Sequence, residues 1–150
     1  MNLLALFQNQ VLIAGLTAWA LAQVIKIPLD YFRTRRWNWA LFFTTGGMPS
    51  SHSALMTATT LAIGLYNGLE SPLFALGVAL TMIVTYDAAG VRMQAGIHAQ
   101  RINVLFNELL HGHMVDQKEL REVIGHTPLE VIGGILFGLI VATIQWFIWK

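Results

Sequence analysis

Four short stretches of this 150-residue chain carry residue types that could do chemistry together. Lys26 and Arg33 stand seven residues apart, two turns along one face of a helix. Ser50, Ser51 and His52 follow Gly46-Gly47-Met48-Pro49 and precede a long apolar run. Asp87 and Arg92 stand either side of Gly90, and His126 lies four residues before Glu130, with Gly134 and Gly138 behind it. Each stretch has an ordinary reading. Cations at a helix end are commonly interfacial anchors, a serine before a helix is commonly its N-cap, and Thr127, Pro128 and Glu130 fit a capping box with proline in the first turn. The chemical reading uses the same features. A helix N-terminus offers free N–H groups and the positive dipole end to an anion, and Gly46 and Gly47 let the backbone approach a bound oxyanion closely. Glu130 on one ring nitrogen of His126 would fix its tautomer and leave the other as a nucleophile. Cap and His–Glu pair then compete for one carboxylate or share it in part. Asp87, just inside an apolar segment, is costly there unless paired or functional, and both Arg92 and Lys26 qualify as its partner.

The elements that must position these residues are membrane helices. The chain is 55% hydrophobic and only 11% charged, against about 25% charged in soluble domains. Apolar runs cover Leu3–Ile25, Ser53–Leu69, Pro72–Thr85 and Leu129–Trp149, most of them near the ~20 residues that span hydrocarbon as a helix. Leu3–Ile25 is diluted by Gln8, Asn9, Gln10 and Gln23, and without a basic leader or small-residue cleavage signature it is not expected to be a removed signal peptide. The runs are continuous rather than alternating, which argues against a β-barrel. The expected fold is all-α: one integral membrane helical bundle over residues 1–150, with about four transmembrane helices and short amphipathic helices on the site face. The short Asn67–Pro72 connection makes the middle two spans an antiparallel hairpin. Ile102, Leu105, Phe106, Leu109 and Leu110 read as an amphipathic helix, and Gln117–Ile124 as another short helical piece. With four crossings, the ends near Lys26, His52, Arg92 and His126 all fall on one membrane face. Eight of the nine basic residues lie there, and five against one remain after Lys26, Arg33 and Arg92 are set aside. That excess predicts a cytoplasmic site face, in a bacterial inner membrane or its equivalent. Zero cysteines remove thiolate chemistry, disulfides and Cys-based metal sites, and a net charge of +1 carries no expectation of a nucleic-acid partner.

The ordered set Lys26-x6-Arg33, Pro49-Ser50-Ser51-His52, Arg92 and His126-x3-Glu130-Val131-x2-Gly134 resembles the type-2 phosphatidic acid phosphatase and vanadium haloperoxidase superfamily, most of all its small, divergent membrane branch. The phrases GGMPSSHSA, DAAGVR and GHTPLEV carry the match, which runs from about Gln23 to Gly138. Departures fall inside the motifs. Ser51 stands where the superfamily has glycine, Thr34 follows Arg33 in place of proline, and Glu130 replaces aspartate. Arg92-x5-His98 keeps the superfamily's Arg–His spacing, but Ile102 stands where the carboxylate belongs. His126 with Glu130 is therefore the preferred nucleophile, and His98 is read as interfacial. Membrane members of the superfamily typically have six spans, more than this chain offers, which leaves two readings: a stripped core, or completion by a homodimer or membrane complex.

What the resemblance implies is phosphoryl transfer without a metal or other cofactor. Lys26, Arg33, Arg92, Ser50 and Ser51 would hold the phosphate oxygens. His126, oriented by Glu130, would attack phosphorus, and His52 would protonate the leaving alcohol and then activate water, with Asp87 in support. The implied substrate is an anionic lipid phosphate, a phosphatidate or an isoprenoid phosphate or diphosphate, drawn from the membrane lipids. Alternatives are a non-catalytic membrane subunit or lipid-binding scaffold of the same fold, and a transporter binding headgroups without hydrolysis. His111 and His113, with Asp116 and Glu119, lack a well-placed ligand set and are not read as a metal site. The tryptophans and Tyr31 are read as interfacial anchors rather than ligand stackers.

Overall fold

Asn9 decides where the first long helix begins. Its side chain accepts from the Leu12 N–H at 3.0 Å, so α1 runs Gln10–Thr34 and Leu3–Gln8 forms a separate 3₁₀ segment. The helix therefore starts later than the apolar run, and it does not stop near Lys26. It passes through Pro28 and ends where Arg35 turns left-handed (φ 57°) with its N–H on the Tyr31 carbonyl at 2.8 Å. Four further helices follow: α2 (Ser51–Asn67), α3 (Pro72–Ala89), α4 (Val91–Leu109) and α5 (Pro128–Trp149). A computed structural model describes residues 3–43, 46–109 and 125–150. His111, His113, Asp116, Glu119 and the expected helical piece at Gln117–Ile124 lie outside the described residues.

Among the described residues, three helical stretches are long and apolar enough to cross a membrane: Gln10–Phe32, Pro72–Leu105 and Pro128–Trp149. The second expected span, α2, has 17 residues, about 26 Å at ~1.5 Å per residue, and is enclosed by α1, α3 and α5. The third span does not give way to a loop near Arg92. Only Gly90 (φ −107°, ψ −80°) separates α3 from α4, so helix resumes at once and carries Arg92 in its first turn. Among the described residues, α4 packs on α3 alone.

Burial is inverted relative to a soluble protein. The core is mostly alanine, among them Ala18, Ala22, Ala54, Ala58 and Ala142, with Ile27, Val131 and Val141 and buried Ser and Thr, whereas many Leu, Ile, Phe and Trp side chains face outward. Lipid tails are as apolar as leucine, so burying leucine gains little in a bilayer; small residues gain more by letting backbones approach. Gly134 and Gly138 show why. A Cβ on Gly134 would collide with the Ser50 carbonyl and lie 2.9 Å from Ser53 Cβ, and one on Gly138 would lie 2.6 Å from the Ala54 carbonyl. This glycine pair presses α5 against the start of α2. At the other end of the bundle, Gln145 donates to the Gln10 carbonyl at 3.0 Å, holding the end of α5 beside the start of α1.

Candidate functional site

Three helix termini are stitched together by main-chain hydrogen bonds. The Ser50 N–H donates to the Glu130 carbonyl at 2.9 Å, and the His126 N–H donates to the Ala88 carbonyl at 3.2 Å. The first bond ties the start of α2 to the first turn of α5; the second ties the residue before the α5 cap to the end of α3. Ser50 is the N-cap of α2, its hydroxyl accepting from the Ser53 N–H and hydroxyl at 3.3 and 3.0 Å. Ser50, Ser51 and Ser53 are fully buried.

At the start of α5 the capping box is complete. The Glu130 N–H donates to Thr127 Oγ1 at 3.3 Å, and the Thr127 N–H donates to Glu130 Oε2 at 3.2 Å. The same carboxylate oxygen lies 3.0 Å from His126 Nδ1. Of the two alternatives, competition or sharing, cap and imidazole share Oε2. With Nδ1–H directed at the carboxylate, Nε2 carries the lone pair, which is the tautomer a nucleophilic imidazole needs. The His52 ring centroid is 6.4 Å from that of His126, with the planes at 61°.

Lys26 reaches this cluster from α1 and is 1% exposed. Its ammonium donates to Gln23 Oε1 and, at 3.4 Å, to Ser51 Oγ. Gln23 in turn donates to the Phe42 carbonyl at 2.8 Å. Sequence reasoning counted Gln23 only as a dilution of an apolar run. The signal that could have found it is an uncharged polar residue inside a membrane helix, one turn from a lysine, where such residues are costly unless bonded. Lys26 also departs from expectation in lying within the apolar stretch Gln10–Phe32 rather than at its end. A cavity of about 230 Å³ opens beside it, lined by charged Lys26, Asp30 and Glu130 and by apolar Leu29, Leu41 and Met48.

Arg33 lies on α1 two turns beyond Lys26, and Arg92 lies in the first turn of α4, four residues after the Ala88 that holds His126. Asp87 is half-buried in the last turn of α3, beside Ala88. His98 is exposed on α4, as is Ile102. Lys26, Ser50, Ser51, His52, His126 and Glu130 are thus brought to one end of the bundle by α1, α2 and α5. They form a helix N-terminus with buried hydroxyls, a cation and two imidazoles, the groups that bind an oxyanion and move a proton at it.

The sequence profile of the family described as "Divergent PAP2 family" matches residues 7–141. The chain is 39% identical to an uncharacterized membrane protein of Bacillus subtilis (strain 168), YuiD, over 150 aligned residues that cover 93% of this chain and 95% of that protein. No solved structure matches.

Proposed function

As this chain belongs to the divergent PAP2 family, and is an integral membrane protein, we propose that it is a lipid-phosphate phosphatase working through a phosphohistidine. The observation that carries this reading is the pair of imidazoles 6.4 Å apart, one of them held through Nδ1 by Glu130. A phosphate bridging two rings needs about 3 Å of hydrogen-bonding reach on each side, and ring centroids 6.4 Å apart put both imidazoles within reach of one anion once it has entered. His126 Nε2 attacks the terminal phosphorus, its bond to the leaving oxygen breaks, and His52 donates its proton to that oxygen, an alkoxide from a monophosphate or a phosphate oxygen from a diphosphate. In the second half, His52 takes a proton from water, whose oxygen attacks phosphorus. The phosphorus–nitrogen bond breaks, and inorganic phosphate and neutral His126 are restored. Lys26, Arg33, Arg92, Ser50 and Ser51, with the first N–H groups of α2, bind the phosphate oxygens and offset the charge that develops on them. The proposed steps call on no metal or cofactor. The substrate is a phosphatidate or an isoprenoid phosphate or diphosphate whose tail stays in lipid, and the apolar Leu29, Leu41 and Met48 beside Lys26 suit such a tail.

One observation favours the competing reading, a lipid-binding subunit without turnover. Lys26, Ser50, Ser51 and His126 are all at most 3% exposed, so a phosphate has to displace protein contacts to enter. Phosphate release from a panel of lipid phosphates by purified wild type and His126→Ala separates the two. Release by wild type alone, with acid-labile label trapped on the protein, supports hydrolysis. Equal release by both removes His126 as nucleophile, and none by either leaves the binding subunit. The site face is proposed to be cytoplasmic on the strength of its basic residues. The chain has no cysteine, so single Asn38→Cys and Glu70→Cys variants report it directly. Labelling of the Asn38→Cys variant from the periplasmic side overturns the orientation.

A further inference from the structure

A second cleft, of about 630 Å³, lies one helical turn beyond Lys26 and is lined by Asp30, Thr34, Arg36, Trp37 and Asn38. The turn that builds it is pinned: Thr34 Oγ1 donates to the Asp30 carbonyl at 2.9 Å and accepts from the Arg36 N–H at 3.3 Å. Its aromatic wall is fixed as well, because Trp37 stacks on Tyr31 (centroids 4.5 Å, 22°) and on Trp39 (5.8 Å, 14°). Among the described residues, neither the half-buried Asp30 carboxylate nor the exposed Arg36 guanidinium has a side-chain hydrogen bond or ion pair. Two opposite charges therefore line one cleft, and among the described residues they make no ion pair with each other.

We propose that this cleft binds the zwitterionic headgroup of an aminoalkyl phospholipid of the phosphatidylethanolamine type. Arg36 takes the phosphodiester as a planar, multi-donor cation, and the Asp30 carboxylate takes the primary ammonium through charge-assisted hydrogen bonds. Asn38 supplies neutral polar contact, and Trp37 and Trp39 sit where interfacial tryptophans meet headgroups. An anionic headgroup fits less well, since it sets a phosphate opposite Asp30 with no cation of its own. Asp30 lines this cleft and the Lys26 cavity alike, so the bound lipid sits beside the proposed phosphate site. The inference stands on Asp30, Arg36 and the stacked rings and does not depend on hydrolysis.

The test is native mass spectrometry of the full chain in detergent, titrated with dioleoylphosphatidylethanolamine or with dioleoylphosphatidylglycerol. The ethanolamine lipid is expected to bind more tightly. Asp30→Asn should weaken it about tenfold and abolish the preference, while Arg36→Gln should weaken both lipids by about that factor, the scale of one charge-assisted hydrogen bond. Asp30→Glu should retain the preference, and circular dichroism should show unchanged helix in every variant. Equal or tighter binding of phosphatidylglycerol overturns the proposal, as does an Asp30→Asn variant that binds the ethanolamine lipid as wild type does. Glycerophosphoethanolamine, the headgroup without tails, should compete only weakly. If it binds as tightly as the lipid, the ligand is a soluble phosphodiester and the lipid assignment fails.

Discussion

Glu130 Oε2 serves two partners, and a pair of substitutions pulls its roles apart. Thr127→Ala removes the hydroxyl that accepts from the Glu130 N–H at 3.3 Å but leaves the carboxylate on His126. Loss of an N-cap side chain costs about 1 kcal/mol, roughly 2–4 °C in melting temperature for a chain near this size. The proposed reaction should keep its rate. Glu130→Gln does the reverse. The amide oxygen can still accept from the Thr127 N–H and from Nδ1, so the cap survives and the melting temperature should shift little. What is lost is the negative charge facing the ring, 3.0 Å away, as positive charge builds on His126 during attack. Charge-assisted hydrogen bonds are roughly twice as strong as neutral ones, a difference of about 1–2 kcal/mol or about 5- to 30-fold in rate. The assay is single-turnover phosphate release beside thermal unfolding in the same detergent. Equal rate losses in both variants, or a full rate in Glu130→Gln, would refute the assignment of the carboxylate to His126.

Packing and positioning give two further outcomes. Gly134→Ala should destabilise by about 1–3 kcal/mol, because its Cβ meets the Ser50 carbonyl and overpacking forces backbone apart. Gly133→Ala meets the flexible end of Met48 at 3.1 Å and otherwise makes ordinary contacts, and should cost far less; equal melting temperatures for the two would count against close α2–α5 packing. Gln23→Leu strips the Lys26 ammonium of an acceptor and the Phe42 carbonyl of a donor, leaving the buried cation under-satisfied at a cost of about 1–3 kcal/mol. In phosphate-binding measurements Gln23→Leu should weaken binding and Gln23→Glu, which keeps an acceptor for Lys26, should restore part of it. Unchanged binding in Gln23→Leu would show that Lys26 needs no positioning.

The residues that gather at the site were legible because their types are costly or specific: a lysine in an apolar run, serines and histidine before a helix, a histidine four residues from a carboxylate. The Lys26–Arg33 spacing reads as one helix face, and α1 carries both. Helix ends were less legible. Gln8-Asn9-Gln10 looks like dilution in a composition window, yet Asn9 is a cap whose single hydrogen bond starts the helix. Gly90 and Arg92 look like the end of a span, yet one residue of irregular backbone is enough for helix to resume. The alanine core was not visible as a core. Leucine and isoleucine dominate the apolar count, but in lipid the packed interface goes to the small residues, so hydrophobicity alone points to the wrong face.

Burial also gives the departure at Ser51 a physical role. A lysine 1% exposed inside a membrane helix cannot rely on water, and an unpaired buried ammonium is among the costliest groups a fold can hold. Gln23 supplies one acceptor and Ser51 Oγ a second; a glycine at 51 would supply none from its side chain. The hydroxyl that departs from the larger superfamily's motif therefore helps hold the Lys26 ammonium in place, and under the proposed function it would also donate to a phosphate oxygen.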